Sequence, residues 1–155
     1  MLKQKYFLTG IFILSAERQP IKLSWRKIVW LHKYHMMYVA QDGGSGIKQA
    51  VSESINKDYT YLPEWVDPEP AACEAPNVWK RIGEDKWVVM YDIYGIHPHN
   101  FGFSETTDFV HFKNLGRFNE GVMNTTNFSS PKHGAVVHLT LKEADKLRDY
   151  WGNKK

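Results

Sequence analysis

The chain contains two similar stretches, and this internal repeat constrains its fold more than any other feature. One stretch begins at Lys33 with KYHMMYVAQ, and the other begins at Lys86 with KWVVMYDIY. The paired residues are 53 positions apart at first, and the later pair Ser52-Glu53 and Ser104-Glu105 is 52 apart. A period of this length in segments rich in Val, Tyr and Trp predicts repeated units made of strands.

Turn residues divide each unit into four candidate strands. The candidates are Arg26–Trp30, Lys33–Val39, Ile47–Ser52 and Tyr59–Leu62 in the first unit, and Ala75–Arg81, Lys86–Asp92, Phe101–Ser104 and Phe109–Lys113 in the second. Ala135–Leu139 is predicted to be the inner strand of a third unit. Successive four-stranded units are typical of propeller blades. We therefore predict an all-β fold, a partial β-propeller over residues 33–152 that ends in one helix.

The helix is predicted from a change in the hydrophobic period near the end of the chain. Thr140 and Glu143 have the spacing of a capping box. Apolar residues then follow at helical spacing and stop at Gly152. This pattern predicts a helix over Leu141–Trp151 whose apolar face packs on the sheets.

Residues 1–32 are predicted to be a separate N-terminal segment. Its apolar run, Tyr6–Leu14, follows two lysines and precedes the small residues Ser15 and Ala16. One interpretation is a signal peptide over residues 1–16, which would place the protein in the periplasm or outside the cell. The other is an ordinary buried strand at residues 6–14, which is compatible with a cytoplasmic protein. Both interpretations remain open, because the single Cys73 does not fix the compartment.

Composition and charge exclude several classes of partner. Apolar residues make up 43% of the chain, which indicates a globular protein rather than a disordered one. The net charge is only +3 and the basic residues are scattered, so no nucleic-acid surface is predicted. The apolar N-terminal run is too short to span a membrane, and no membrane partner is predicted.

Two polar residues are predicted to meet at one mouth of the propeller channel. Glu74 and His133 each lie just before or at the start of a predicted inner strand. His133 has a second interpretation as a hydrogen-bonded residue at a strand end. Asp92 ends a strand, where it would bind hydroxyl groups of a ligand or cap a turn. Trp65 is a candidate for stacking on a ligand ring.

Four motifs resemble the later blades of glycoside hydrolase family 43. They are EAPNVWK, WVVMYDIYG, FGFSETTDFVHF and SSPKHGAVVHLT, and the resemblance runs from about Lys33 to Trp151. Members of that family are five-bladed β-propellers that act on glycans containing arabinose and xylose. The resemblance implies a glycosidase that inverts the anomeric carbon, with such glycans as its partners.

The resemblance also implies roles for individual residues. Glu74, in Glu74-Ala75-Pro76, matches the general acid that protonates the leaving oxygen. His133 matches a channel histidine that helps to hold a central cation or a water, which implies a structural Ca²⁺ but no required cofactor. With glycans as ligands, Asp92 would bind sugar hydroxyls and Trp65 would stack on a sugar ring. An inverting mechanism places acid and base about 6.5–9.5 Å apart.

The two aspartates that the resemblance leads us to expect are missing. The base belongs to a blade that this sequence does not contain, and RQPIKLSW at residues 18–25 has no carboxylate for the second. We therefore expect an incomplete catalytic domain, or alternatively a carbohydrate-binding remnant without catalysis or an inactive truncated product. Uncovered blade flanks further predict self-association, most simply as a homodimer.

Overall fold

The computed structural model describes residues 12–17, 32–41, 44–123 and 129–152. The first sheet contains β1 (Phe12–Glu17), β2 (His32–Ala40), β3 (Gly46–Ser52) and β4 (Thr60–Trp65). The second contains β5 (Cys73–Lys80), β6 (Trp87–Ile93), β7 (Asn100–Thr106) and β8 (Lys113–Arg117). In both sheets the strands are antiparallel neighbours in chain order. The prediction of two four-stranded units is confirmed, and their arrangement as propeller blades stays a prediction.

The main core lies between the two sheets, and β6 is buried on both of its faces. On one face, the odd-numbered β6 residues Val89, Tyr91 and Ile93 pack against the first sheet. Their partners there include Met37 and Ile47. The even-numbered residues Val88 and Met90 pack on the opposite face, in a cluster with Phe101, Phe103 and Phe118. A strand that is covered on both faces needs a nearly continuous apolar run, which WVVMYDI provides. Asp92 interrupts that run on the even-numbered face.

The two strands predicted at the inner edges of the sheets have different outcomes. The predicted strand Arg26–Trp30 lies outside the described residues. We expected Arg26–Trp30 to pair with β2, and β1 occupies that position. Ala135–Leu139, predicted to be an inner strand, does not form a strand in the described part of the chain. Its Val136 N–H donates to the side chain of Asn77 in β5 at 3.0 Å.

The outer strand of the second sheet begins later than predicted. We placed it at Phe109–Lys113, whereas β8 spans Lys113–Arg117. Phe109 is instead buried in the preceding loop, where its ring stacks on His35 of the first sheet with centroids 4.3 Å apart. Asp108 holds this loop by accepting hydrogen bonds from the N–H groups of Val110 and His111, each at 2.8 Å.

The C-terminal helix α1 (Leu141–Gly152) is confirmed, but its predicted packing is wrong. Thr140 and Glu143 form the capping box, with Thr140 N–H donating to the Glu143 carboxylate at 2.8 Å and Glu143 N–H donating to Thr140 Oγ1 at 3.3 Å. No residue of α1 is buried, so local capping rather than contact with the sheets defines the helix. Among the described residues, no helix is long and apolar enough to cross a membrane.

Candidate active site

Two carboxylates face each other across the first two strands of the second sheet. Glu74 in β5 is the register partner of Asp92 in β6. Like charges directly opposite in an antiparallel pair repel each other. The side chain of Asp92 is fully buried, whereas 27% of the Glu74 side chain is exposed. A nearby positive charge or hydrogen-bond donor is therefore needed to stabilise the pair in its ionised form.

His133 provides that donor from a distant part of the chain. Its Nε2 lies 2.9 Å from Glu74 Oε1 and 3.4 Å from Asp92 Oδ2. The next residue, Gly134, places its backbone against Phe101 and Met90, where a Cβ atom would lie 2.8 Å from the Phe101 ring. The segment around His133 therefore packs on the face of β6 and β7 from which Asp92 points. The predicted meeting of Glu74 and His133 is found in the structure, and Asp92 joins them.

The backbone around these residues has unusual geometry. The β5–β6 register shifts between Glu74 and Asn77, which marks a β-bulge. Ala75 and His133 both have positive φ angles, 50° and 52°, which residues other than glycine rarely adopt. Residues with strained backbone often cluster at functional sites, because the surrounding structure must hold them there. His133 belongs to a small group of polar side chains, hereafter called the Glu74 cluster (Glu74, Asp92 and His133), and Ala75 directly follows Glu74.

The buried environment of Asp92 raises the pKa of its carboxyl group. Burial raises its pKa above the ordinary value, and the backbone N–H and ring of His133 lower it by less. Neither carboxylate oxygen has a well-formed hydrogen bond within the described part of the chain. The compensation for its burial therefore comes from His133, through its backbone N–H and through Nε2, which lies 3.4 Å from Oδ2.

The Glu74 cluster also has the composition of a cation site. One donor atom from each of its three residues lies within 4.8 Å of the others. The unpartnered oxygens of Asp92 suit a divalent cation whose other ligands are waters. Because Ca²⁺ prefers oxygen ligands, the imidazole nitrogen makes the set better suited to a transition metal such as Mn²⁺. The Ca²⁺ that the resemblance implied stays a prediction.

The raised pKa of Asp92 predicts a pH-dependent effect of Asp92→Asn on stability. A carboxyl group whose pKa is raised by folding stabilises the fold below its unfolded value, near 3.9, and loses this contribution as pH rises through its folded value. Asparagine mimics the protonated form at every pH. We expect the unfolding free energy of Asp92→Asn, relative to wild type, to increase between pH 4 and pH 7.

Thermal unfolding followed by circular dichroism, in chelator-treated protein, measures this difference. Asp85→Asn is the matched control, because Asp85 is an exposed residue paired with Lys80 at 2.9 Å. Parallel pH profiles for wild type and Asp92→Asn would show that Asp92 is not electrostatically destabilised in the fold.

The sequence of the chain matches a known protein family. A family described as "Probable glycosyl hydrolase domain", related to glycoside hydrolase family 43, matches residues 24–145. The chain belongs to this family. No curated protein and no solved structure gives a significant match. The matched region of this glycosyl hydrolase domain contains both sheets from β2 onward and all three residues of the Glu74 cluster.

Trp65, the fourth predicted site residue, lies in a separate depression of the domain surface. It ends β4 and is 40% exposed, and the Lys48 ammonium lies 4.3 Å from its ring centroid. The depression continues along the chain from Asp67 to Ala72, which leads into β5. Trp65 is not part of the Glu74 cluster.

Sequence reasoning missed two polar groups, one beside the Glu74 cluster and one beside the Trp65 depression. Asn77 is buried and anchors the segment after His133 through Val136 N–H. Glu69, whose side chain is only 4% exposed, accepts two hydrogen bonds from Arg117. An Asn within an apolar strand was a signal for the first. The second pairs residues 48 positions apart, and nothing in the sequence connects them.

Proposed function

We propose that this domain carries the proton donor of an inverting glycoside hydrolase site, and that the donor is Glu74. The observation that carries the proposal is the contact of Glu74 with His133, 2.9 Å long, beside the buried Asp92. Of the two carboxylates in the Glu74 cluster, only that of Glu74 is exposed enough to reach a substrate. Membership of a glycosyl hydrolase family supplies the reaction class.

In this proposal the cluster controls the position of Glu74. His133 holds Oε1, and Oε2 has no hydrogen-bond partner among the residues that the structure describes. Oε2 is therefore the oxygen available to carry a proton to the leaving group. Asp92 acts as a positioning residue, because its carboxylate lies beside His133 and is shielded from substrate. A bound cation would add positive charge at the same three side chains.

Asp92 is poorly placed to activate water, so the cluster lacks a base. An inverting reaction needs a gap of about 6.5–9.5 Å between acid and base, in which sugar and water fit. Donor oxygens of Glu74 and Asp92 lie within 4.8 Å of each other, and Asp92 is buried. General-base assistance must therefore come from a group outside the Glu74 cluster.

The two sheets are proposed to be successive blades of a five-bladed propeller. Each is an antiparallel meander in chain order, and β5 packs against β1, β2 and β3. This arrangement would make β5 an inner strand with Glu74 at the channel mouth. By resemblance of the motifs, the proposed substrates are glycans containing arabinose or xylose, and Trp65 is a proposed contact with them. Self-association is proposed through exposed apolar surface, which includes Leu141 and Trp151 of α1.

Hydrolysis of aryl glycosides with and without an added base tests the proposed function. We expect purified protein to release sugar from aryl xylosides or aryl arabinosides very slowly, because a missing general base typically costs a factor of about 10²–10⁴. Formate can occupy the space of a missing carboxylate and assist the attacking water. Rates of aryl alcohol release with and without formate are measured by absorbance, with sodium chloride at equal ionic strength as the control.

A non-catalytic carbohydrate-binding function is the second candidate, favoured by the lack of a base in the cluster. It predicts glycan binding without sugar release at any formate concentration. Fast turnover without formate would contradict the assignment of Asp92, since it would require a base that is already in place. No release under any condition would contradict the hydrolase proposal.

A further inference from the structure

We propose that the depression beside Trp65 is a second glycan-binding subsite, so that the ligand of this domain is an oligosaccharide or polysaccharide chain. The inference rests on the proposed function, because it extends the site around Glu74. The depression, hereafter the Trp65 groove, has a volume of about 320 Å³ and is lined by Gly44, Gly46, Trp65, Asp67, Glu69 and Ala72. This volume is at the lower end for ligand sites, which suits one sugar ring.

Trp65 forms a rigid aromatic wall of this groove. A Cβ atom at Gly46 would lie 3.1 Å from the indole ring, so the strand backbone is in close contact with it. The Lys48 ammonium lies 4.3 Å from the ring centroid, at cation–π distance. Although these contacts fix the ring, 40% of Trp65 remains exposed. An immobilised and partly open indole provides apolar contact area for a sugar ring at little cost in conformational entropy.

Asp67 provides a fixed acceptor in the same groove. Its carboxylate accepts the N–H of Ile47 at 2.5 Å and the N–H of Glu69 at 3.1 Å. Burial nevertheless raises the pKa of this carboxyl, and the hydrogen bonds offset only part of that effect. Only 6% of Asp67 is exposed, and this open part lines the groove, so one sugar hydroxyl group can donate to an oxygen lone pair that the N–H donors leave free. An aromatic wall beside an oriented acceptor is the combination that selects a sugar ring.

The rim of the Trp65 groove adjoins the Glu74 cluster. Ser45 C=O, in the groove lining, accepts the N–H of Cys73 at 3.0 Å, and Cys73 directly precedes Glu74. The Ser45 hydroxyl also bonds the hydroxyl of Tyr94 at 2.9 Å, two residues after Asp92. These two links place groove and cluster on the same end of the sheets. The groove lies on the first-sheet side of β5, whereas Glu74 and Asp92 share the face of the second sheet that carries Met90. A glycan with one ring in the groove would therefore reach Glu74 by passing over the start of β5.

Calorimetric titration with xylose, xylobiose and xylotetraose, and with the matching arabinose series, tests the groove. We expect the wild type to bind one tetrasaccharide at least about tenfold more tightly than its disaccharide, and Trp65→Ala to remove this gain. Trp65→Phe keeps an aromatic wall and should retain most of it. Trp151→Ala is the matched control, since Trp151 is an exposed tryptophan on α1. Circular dichroism checks that each variant is folded.

The outcomes separate the groove from the catalytic proposal. Tighter tetrasaccharide binding that depends on Trp65, without formate-assisted hydrolysis, would support the groove and contradict the hydrolase proposal. Hydrolysis with equal chain-length dependence in wild type and Trp65→Ala would support the hydrolase and overturn the groove. Failure of wild-type protein to bind either tetrasaccharide would also overturn it.

Discussion

Replacing Arg117 with alanine is expected to lower the free energy of unfolding by about 3–5 kcal/mol, because it leaves a buried carboxylate without its partner. Arg117 Nη2 and Nε donate to the two oxygens of Glu69 at 2.6 and 3.3 Å. The Glu69 side chain is only 4% exposed, whereas that of Arg117 is 29% exposed. The hydrogen bonds from Arg117 to Glu69 raise the pKa of the guanidinium further, so Arg117 is charged at every working pH.

This ion pair ties the lining of the Trp65 groove to the outer strand of the second sheet. Urea unfolding measures the loss, and Arg148→Ala is the matched control, since its pair with Asp145 is exposed and should change the free energy by less than about 1 kcal/mol. Adding Glu69→Gln to Arg117→Ala should recover part of the loss, because the unpaired charge disappears. Equal effects of Arg117→Ala and Arg148→Ala would contradict the buried ion pair.

The second large effect is expected in catalysis, from Glu74→Gln. Glutamine has the shape of glutamate but has no acidic proton, so protonation of the leaving oxygen is lost. We expect formate-assisted release of an unactivated leaving group, such as phenol, to fall by about 10²–10⁴. Initial rates from phenyl xyloside or phenyl arabinoside give this value.

Glu64→Gln is the control for Glu74→Gln, because Glu64 is an exposed residue of β4. Its rate should equal that of the wild type. A Glu74→Gln variant with unchanged rate would remove Glu74 from the reaction.

The sheets could be predicted from the sequence because the hydrophobic pattern and the turn residues repeat. The elements at their edges could not. Phe109 reads as the beginning of a strand, yet its ring is needed in the core between the sheets, and β8 begins only at Lys113. The capping box at Thr140 fixed the start of α1, but the apolar spacing shows only which face is apolar and not whether anything covers it.

The candidate site was predictable in part for a similar reason. Glu74 and His133 were predicted to meet because each lies at the start of a predicted inner strand. In the structure, His133 Nε2 lies 2.9 Å from Glu74 Oε1. Asp92 was expected to contact sugar, yet its side chain is fully buried. In a strand that is covered on both faces, alternation does not reveal which face is open. The distant link between Glu69 and Arg117 was invisible because it depends on how the two sheets and their connection pack.

The most direct test of Glu74 as proton donor is the dependence of the Glu74→Gln defect on the leaving group. A dinitrophenyl leaving group departs without protonation, whereas phenol needs an acid. We measure kcat/KM for both glycosides, in formate, with wild type and Glu74→Gln. The proposed role predicts a loss of about 10²–10⁴ with the phenyl glycoside and a small loss with the dinitrophenyl glycoside. Equal losses with the two substrates would contradict proton donation and would make Glu74 a binding or structural residue.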